Sequence, residues 1–380
     1  MTQHYAGSSS GLRAVSMPPL EPTTTSVAGL RVGFHVGGEG YPVLLLHGFP
    51  QTRLIWRSVA ATLAGRFRVI CPDLPGYGHS DRLGDGPAGF EKSRMAAHLI
   101  AFTSGLGHDR FAVVGHDRGG LVAFRLGLDH ADAVTHLGVL DILPTVDNWA
   151  ALHGPAGVFA FHLFLLAQPS DLPERMIAAD PDTFFGHFLD TWTKQPDAIP
   201  ATVREYYLAM ARRPETIHAV CDDYRASAFL DLEPDRRDQH AGRRLVMPVL
   251  APWQDPGDRA LPFDPAQIWA SWAPNLRTQV LPCGHFLPEE QPEQIITAIT
   301  TVFKREEYSP MIETIKDGIM LEGIAIGEAR GIEIGEARGV DKGESKKAIE
   351  IAQNMKQKGY SAKDIADLTG LTFAEIERLR

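Results

Sequence analysis

The chain of 380 residues has only three cysteines, Cys71, Cys221 and Cys283. They lie far apart and form no Cys-x-x-Cys pair, which excludes a disulfide framework and gives no support to a zinc site. Long apolar runs are also missing: the most apolar stretch, 154–167, carries His162 and is too short to span a bilayer. Residues 1–30 lack the apolar centre of a secretory signal. No metal, cofactor or membrane is therefore expected, and a reducing cytoplasm is the simplest setting. Positive charge is in deficit, with 37 Lys and Arg against 47 Asp and Glu, for a net charge of −10. With no basic block, nucleic acid is not an expected partner. One or two well-placed arginines can still hold a small anion.

What is present is globular. Hydrophobic residues make up 44% of the chain and charged residues 22%, enough for a large core. Residues 1–28, rich in Ser, Thr and Pro, read as a flexible leader. From 29 to 145 short apolar runs at 42–48, 67–73, 111–116 and 135–141 read as strands, with helical stretches at 91–106 and 120–128. That alternation predicts a mostly parallel, doubly wound α/β sheet. Residues 146–230 lose the strand pattern and become helical and aromatic, an inserted cap. The sheet pattern returns over 231–305, with strands at 247–253 and 278–282 and a closing helix at 292–304. The last stretch, 306–380, differs in composition and repeats Gly-Ile-Ala-Ile-Gly-Glu-Ala-Arg as Gly-Ile-Glu-Ile-Gly-Glu-Ala-Arg. Glycines four apart suit a close helix stripe or, equally, a flexible charged linker. The segment is expected as a helical extension, a glycine-repeat linker with a helix-turn-helix-like end, that mediates protein association; a homo-oligomer is a separate expectation.

The sharpest local signal is Gly115-His116-Asp117-Arg118-Gly119, between a strand and a helix. Small residues flanking a central side chain permit the strained strand-to-helix turn called a nucleophile elbow. Here the central residue is Asp117, a carboxylate suited to displacing a leaving group from saturated carbon. The product is an ester on Asp117, which water must hydrolyse. His285, in the Gly284-His285 turn after the last strand, is the candidate base. Its orienting carboxylate comes from Asp141, favoured, or from the loop holding Asp255 and Asp258, with Asp258 the alternative. The backbone N–H groups of Phe49, after His47-Gly48, and of Arg118 are the candidate oxyanion donors.

These motifs, with Asp73-Leu74-Pro75-Gly76-Tyr77-Gly78-His79-Ser80, Asp222-Asp223-Tyr224-Arg225 and 284–290, resemble the α/β-hydrolase superfamily and its haloacetate (fluoroacetate) dehalogenase branch. The resemblance covers about residues 30–305. It implies that Asp117 displaces halide from a small 2-haloacid, His285 activates water and Asp141 orients His285. It also implies that the Arg118 side chain binds the substrate carboxylate, and that His162, Trp192 and Tyr224 line the halide pocket. Two positions depart from that pattern. Leu121 stands where the branch has a second arginine, and Leu163 where it has a tryptophan. A charged hydrogen bond is worth roughly 1.5–3 kcal/mol, so the substrate shifts toward a larger or less anionic molecule.

Two rival readings stand beside it. An epoxide hydrolase shares the aspartyl ester but normally uses two cap tyrosines, for which Tyr224 and either Tyr206 or Tyr207 are available. An idle hydrolase fold serving as a binding protein would have no need of Asp117, His285 and a candidate acid together. The segment 346–380 resembles the C-terminal end of Rpn-type transposase-nuclease proteins, without any corresponding nuclease core.

Overall fold

The computed structural model describes residues 16–257 and 263–303, with residues 3–4, 261 and a few positions between 353 and 366. Two compact units, Met1–Glu307 and Tyr308–Arg380, divide the chain, and nearly all described residues belong to the first. The glycine repeat of the tail and Asp258 lie outside the described residues.

The first unit is built on a nine-stranded sheet. Its strands are β1 (Gln3–His4), β2 (Glu21–Val27), β3 (Leu30–Gly37), β4 (Tyr41–Leu46), β5 (Phe67–Pro72), β6 (Phe111–His116), β7 (Val134–Leu140), β8 (Val249–Gln254) and β9 (Leu276–Leu281). They lie in the order β1-β2-β3-β5-β4-β6-β7-β8-β9. From β5 to β9 all pairs are parallel, whereas β1, β2 and β3 join antiparallel at one edge. Val43, Leu44, Leu45 and Leu46 of β4 and Val113 and Val114 of β6 are fully buried, as expected of central strands covered on both faces.

Within the stretch 1–28 expected as a flexible leader, residues 21–27 instead form β2 of the antiparallel edge. Thr23, Thr24 and Thr25 pair with Phe34, Gly33 and Val32, and the strands turn through Ala28-Gly29, both at positive φ. A two-residue turn of that kind matches the twist of the strands it joins. The run of β-branched threonines suits a half-buried strand near the sheet edge, a pattern that composition alone hides. Helical structure also extends past the expected end of the cap at 230. A π-helical turn, Ser227–Asp231, carries the helix Pro214–Ala226 into Leu232–His240.

Strand order positions the chemistry. The chain leaves β4 for β5 on one side and later returns to β6 on the other, so the order reverses beside β4. In open α/β sheets the crevice at the carboxyl ends of the strands at such a reversal is where ligands bind. Gly48-Phe49 leaves β4 there, Asp117 leaves β6, and Asp141 leaves β7.

Candidate active site

Asp117 sits between β6 and the helix Arg118–Asp129 with φ of 49°, a left-handed conformation that only a tightly determined turn sustains. Its N–H donates to the Leu140 carbonyl, pinning the turn to β7. The flanking glycines are required by contact: a Cβ on Gly115 would stand 2.1 Å from the Gly119 carbonyl oxygen. The Asp117 carboxylate is buried, and Oδ1 accepts the Phe49 N–H at 2.7 Å. Burial pushes its pKa above the ordinary aspartate value, against the opposing pull of His285, Arg118 and the backbone donors Phe49 and Arg118.

His285 lies between the two other carboxylates. Its Nδ1 is 2.5 Å from Asp141 Oδ2, and its Nε2 is 3.8 Å from Asp117 Oδ2, buried and without a hydrogen bond. Asp141 is itself held: the backbone and side-chain amides of Gln254 donate to Oδ1 and Oδ2 at 2.9 and 2.7 Å. Burial lowers the His285 pKa, but the bond to Asp141 and the charges of Asp141 and Asp117 outweigh it and raise the net value. The structure thus brings Asp117, His285 and Asp141 into one line. Asp255, of the rival loop, is turned elsewhere, with Oδ1 accepting the Gly257 N–H.

Three cap residues close over this line. His162, Trp192 and Tyr224 stack around Phe49, with ring centroids 5.9, 6.1 and 5.6 Å from its own. Trp192 lies 4.9 Å from the His285 ring, centroid to centroid. His162 Nδ1 is buried without a partner, and burial lowers the ring pKa to about 3, keeping it neutral. The Tyr224 hydroxyl makes no hydrogen bond among the described residues, and burial, then the Asp117 charge, push its pKa up. Neutral N–H and O–H donors thus meet beside a carboxylate and an unpartnered imidazole nitrogen. Tyr206 and Tyr207, the candidate second tyrosines, spend their hydroxyls on His79 Nδ1 at 3.3 Å and Glu289 Oε1 at 2.7 Å.

Arg118 acquires partners that the sequence reading did not name. Its Nε and Nη2 donate to both carboxylate oxygens of Asp223 at 3.1 and 2.6 Å, and its Cζ lies 4.3 Å above the Tyr224 ring. Nη1 makes no hydrogen bond among the described residues. Leu121 and Leu163 are both buried apolar side chains. Among the described residues no group of three or more His, Cys, Asp or Glu could hold a metal ion, and no helix is long and apolar enough to cross a membrane.

Comparison with known proteins agrees with this architecture. The family described as the alpha/beta hydrolase fold matches residues 41–292. This chain is an α/β hydrolase. The hydrolase is 37% identical to a fluoroacetate dehalogenase from Burkholderia sp over 277 residues, covering 72% of this chain and 90% of that one. It is 32% identical to a soluble epoxide hydrolase from Corynebacterium sp. (strain C12), covering 73% and 95% of the two chains. Among solved structures, a protein from Nostoc sp PCC 7120 described as an α/β hydrolase superposes with a TM-score of 0.72 at 37% identity. That match covers 76% of this hydrolase and 100% of the Nostoc chain.

Proposed function

We propose that this hydrolase cleaves a carbon–halogen bond of a small 2-haloacid through an ester on Asp117. The observation that carries the reading is the division of labour between the two Asp117 oxygens. Oδ1 is held by the Phe49 N–H at 2.7 Å, while Oδ2 faces His285 Nε2 across 3.8 Å without a hydrogen bond. Oδ2 is free to attack; Oδ1 already occupies the place where negative charge later develops.

Oδ2 attacks the halogen-bearing carbon, and the halide leaves with the bonding pair, accepting N–H and O–H donation from His162, Trp192 and Tyr224. Arg118 Nη1 holds the substrate carboxylate. Ester formation removes the Asp117 charge. His285 Nε2 then takes a proton from water, and the resulting hydroxide attacks Asp117 Cγ. Charge gathers on Oδ1 against the Phe49 and Arg118 N–H groups. Collapse expels the 2-hydroxyacid oxygen, which recovers a proton from His285. Asp117, left as the carboxylic acid, releases the remaining water proton to solvent and is regenerated as the carboxylate. Asp141 keeps Nδ1 protonated and aimed throughout.

Epoxide hydrolysis on the same ester is the second reading, supported by the Corynebacterium relative. The engagement of Tyr206 and Tyr207 with other partners weighs against it, since the second acid would have to be His162. A His285→Gln variant incubated in turn with chloroacetate, fluoroacetate, 2-chloropropionate and styrene oxide tests both. Without the base the ester persists, and peptide mapping finds its mass on Asp117. A haloacid adduct supports dehalogenation, an adduct from the epoxide alone moves the assignment to the second reading, and no adduct at all defeats both.

A further inference from the structure

Behind Arg118 lies a buried charge chain. Asp223, bridged by Arg118, accepts the Lys92 ammonium on Oδ1 at 2.6 Å and the Tyr77 hydroxyl on Oδ2 at 2.9 Å. Lys92 gives its remaining protons to Asp231 Oδ2 at 3.2 Å and the Phe90 carbonyl at 3.0 Å, and its backbone N–H to Asp231 Oδ1 at 2.8 Å. Lys92 is 1% exposed, and Asp223 is fully buried. The sequence of charges is therefore positive, negative, positive, negative: Arg118, Asp223, Lys92, Asp231. Lys92 opens the core helix Lys92–Gly105, whereas Asp223 and Asp231 belong to the cap helix and its π-helical turn.

The order of the chain matters more than its sum. Burying ions costs several kcal/mol each, and a buried pair with one partner removed leaves an uncompensated charge. If Asp223 faced Arg118 alone, an incoming carboxylate would meet a neutral pair beside the anionic Asp117. Lys92 takes up part of the Asp223 charge on its far side, so Arg118 retains its own toward the substrate. Asp231 withdraws some of that effect, but from the distal end. Leu121 offers no charge, so the second cation acts through an aspartate instead of touching the ligand.

We propose that Lys92 is a positioning residue that sets the charge preference of the substrate pocket, making Arg118 able to select a small carboxylate over a neutral molecule of the same shape. This rests on the reading of Arg118 as the carboxylate partner, but not on turnover. The test therefore measures binding in the full chain, with Asp117→Asn in place to prevent ester formation. Calorimetry compares chloroacetate with the neutral chloroacetamide.

Adding Lys92→Met weakens chloroacetate roughly tenfold and leaves chloroacetamide within about twofold, because only the anion feels the lost charge. Adding Asp231→Asn, which deletes the distal negative charge, tightens chloroacetate and again spares the amide. A structural role would move both ligands in the same direction; equal losses overturn the proposal. So does an Asp117→Asn protein that fails to distinguish chloroacetate from chloroacetamide. Should Lys92→Met not fold, the Asp231→Asn arm decides, since it is expected to act with the opposite sign. Haloacid turnover failing in the unmodified protein, with chloroacetate binding still responding to these variants, would remove the proposed reaction and leave this inference standing.

Discussion

The backbone N–H of His285 donates to the carbonyl of Trp192 at 2.8 Å. The proposed base thus hangs from the cap residue whose ring lies over it. Glu290 secures the same junction. Its carboxylate accepts backbone N–H groups from Lys194 and Gln195 on the cap and from Gly284 and Phe286 beside His285, at 2.7, 2.8, 3.0 and 3.2 Å. Three of those donors share Oε2, so Glu290→Gln can keep them on its one carbonyl oxygen, but it then turns its NH2 toward the buried Phe286 N–H and leaves that donor unpaired. We expect a loss of about 2–3 kcal/mol in unfolding free energy and a fall in turnover. Denaturant unfolding and steady-state rates read the two effects, and an unchanged stability would contradict the assignment.

Asp141→Asn keeps the shape of the orienting side chain and removes its charge. The amide no longer holds His285 in the required tautomer, and turnover should drop by roughly 10³–10⁴. Alkylation of Asp117 needs no base, so the ester should accumulate during the reaction. Intact-mass spectrometry during turnover would find it; a variant that stays slow with no adduct would place the defect before ester formation.

The pH dependence should split between steps. In the free protein, the bond to Asp141 and the charges of Asp141 and Asp117 hold the His285 pKa above its ordinary value against burial. The ester cancels the Asp117 charge, so His285 in the intermediate must titrate lower than in the free protein. A base works when neutral, and ester hydrolysis should therefore rise with pH through that lower value. Single-turnover hydrolysis against pH, compared with the imidazole titration of the free protein by NMR, checks the order. The reverse order would remove Asp117 as the group esterified.

Tyr224→Phe removes a hydroxyl that has no hydrogen bond among the described residues, while the ring under Arg118 remains. Losing an unpaired polar atom costs the fold little, so stability should change by less than about 1 kcal/mol. Turnover should fall roughly tenfold to a hundredfold, as one donor to the leaving group is lost. A melting temperature that drops in step with activity would assign the hydroxyl to structure.

Gly48→Ala places a Cβ 2.5 Å from Asp117 Cβ and 2.7 Å from the His116 carbonyl. Backbone cannot yield there without moving the elbow. Destabilisation of about 1–3 kcal/mol is expected, with near-complete loss of ester formation. Adduct formation at the unmodified rate would show that the elbow tolerates the shift.

The parallel strands β4 to β9, the elbow and its aspartate were legible in the sequence because each depends on local pattern. Apolar runs mark central strands, and Gly-x-Asp-x-Gly marks a turn too tight for side chains at either end. The edge hairpin β2–β3 was missed because half-buried threonines leave no apolar run. His285 was singled out by its place after a strand, but the choice between Asp141 and the 255–258 loop stayed open.

The sequence by itself placed a carboxylate at a nucleophile elbow, the feature on which the proposed displacement at carbon rests. Only the tertiary structure decided which groups lie together. Asp141, Asp117 and His285 come from three different strand ends, and their separations depend on how the sheet twists and pairs. The same holds for Lys92, Asp223 and Asp231. Nothing near Lys92 in the chain distinguishes it from a surface lysine; burial between core and cap makes it the counter-charge of Asp223. Charge in a protein interior acts through space and low dielectric, over contacts that sequence distance does not record.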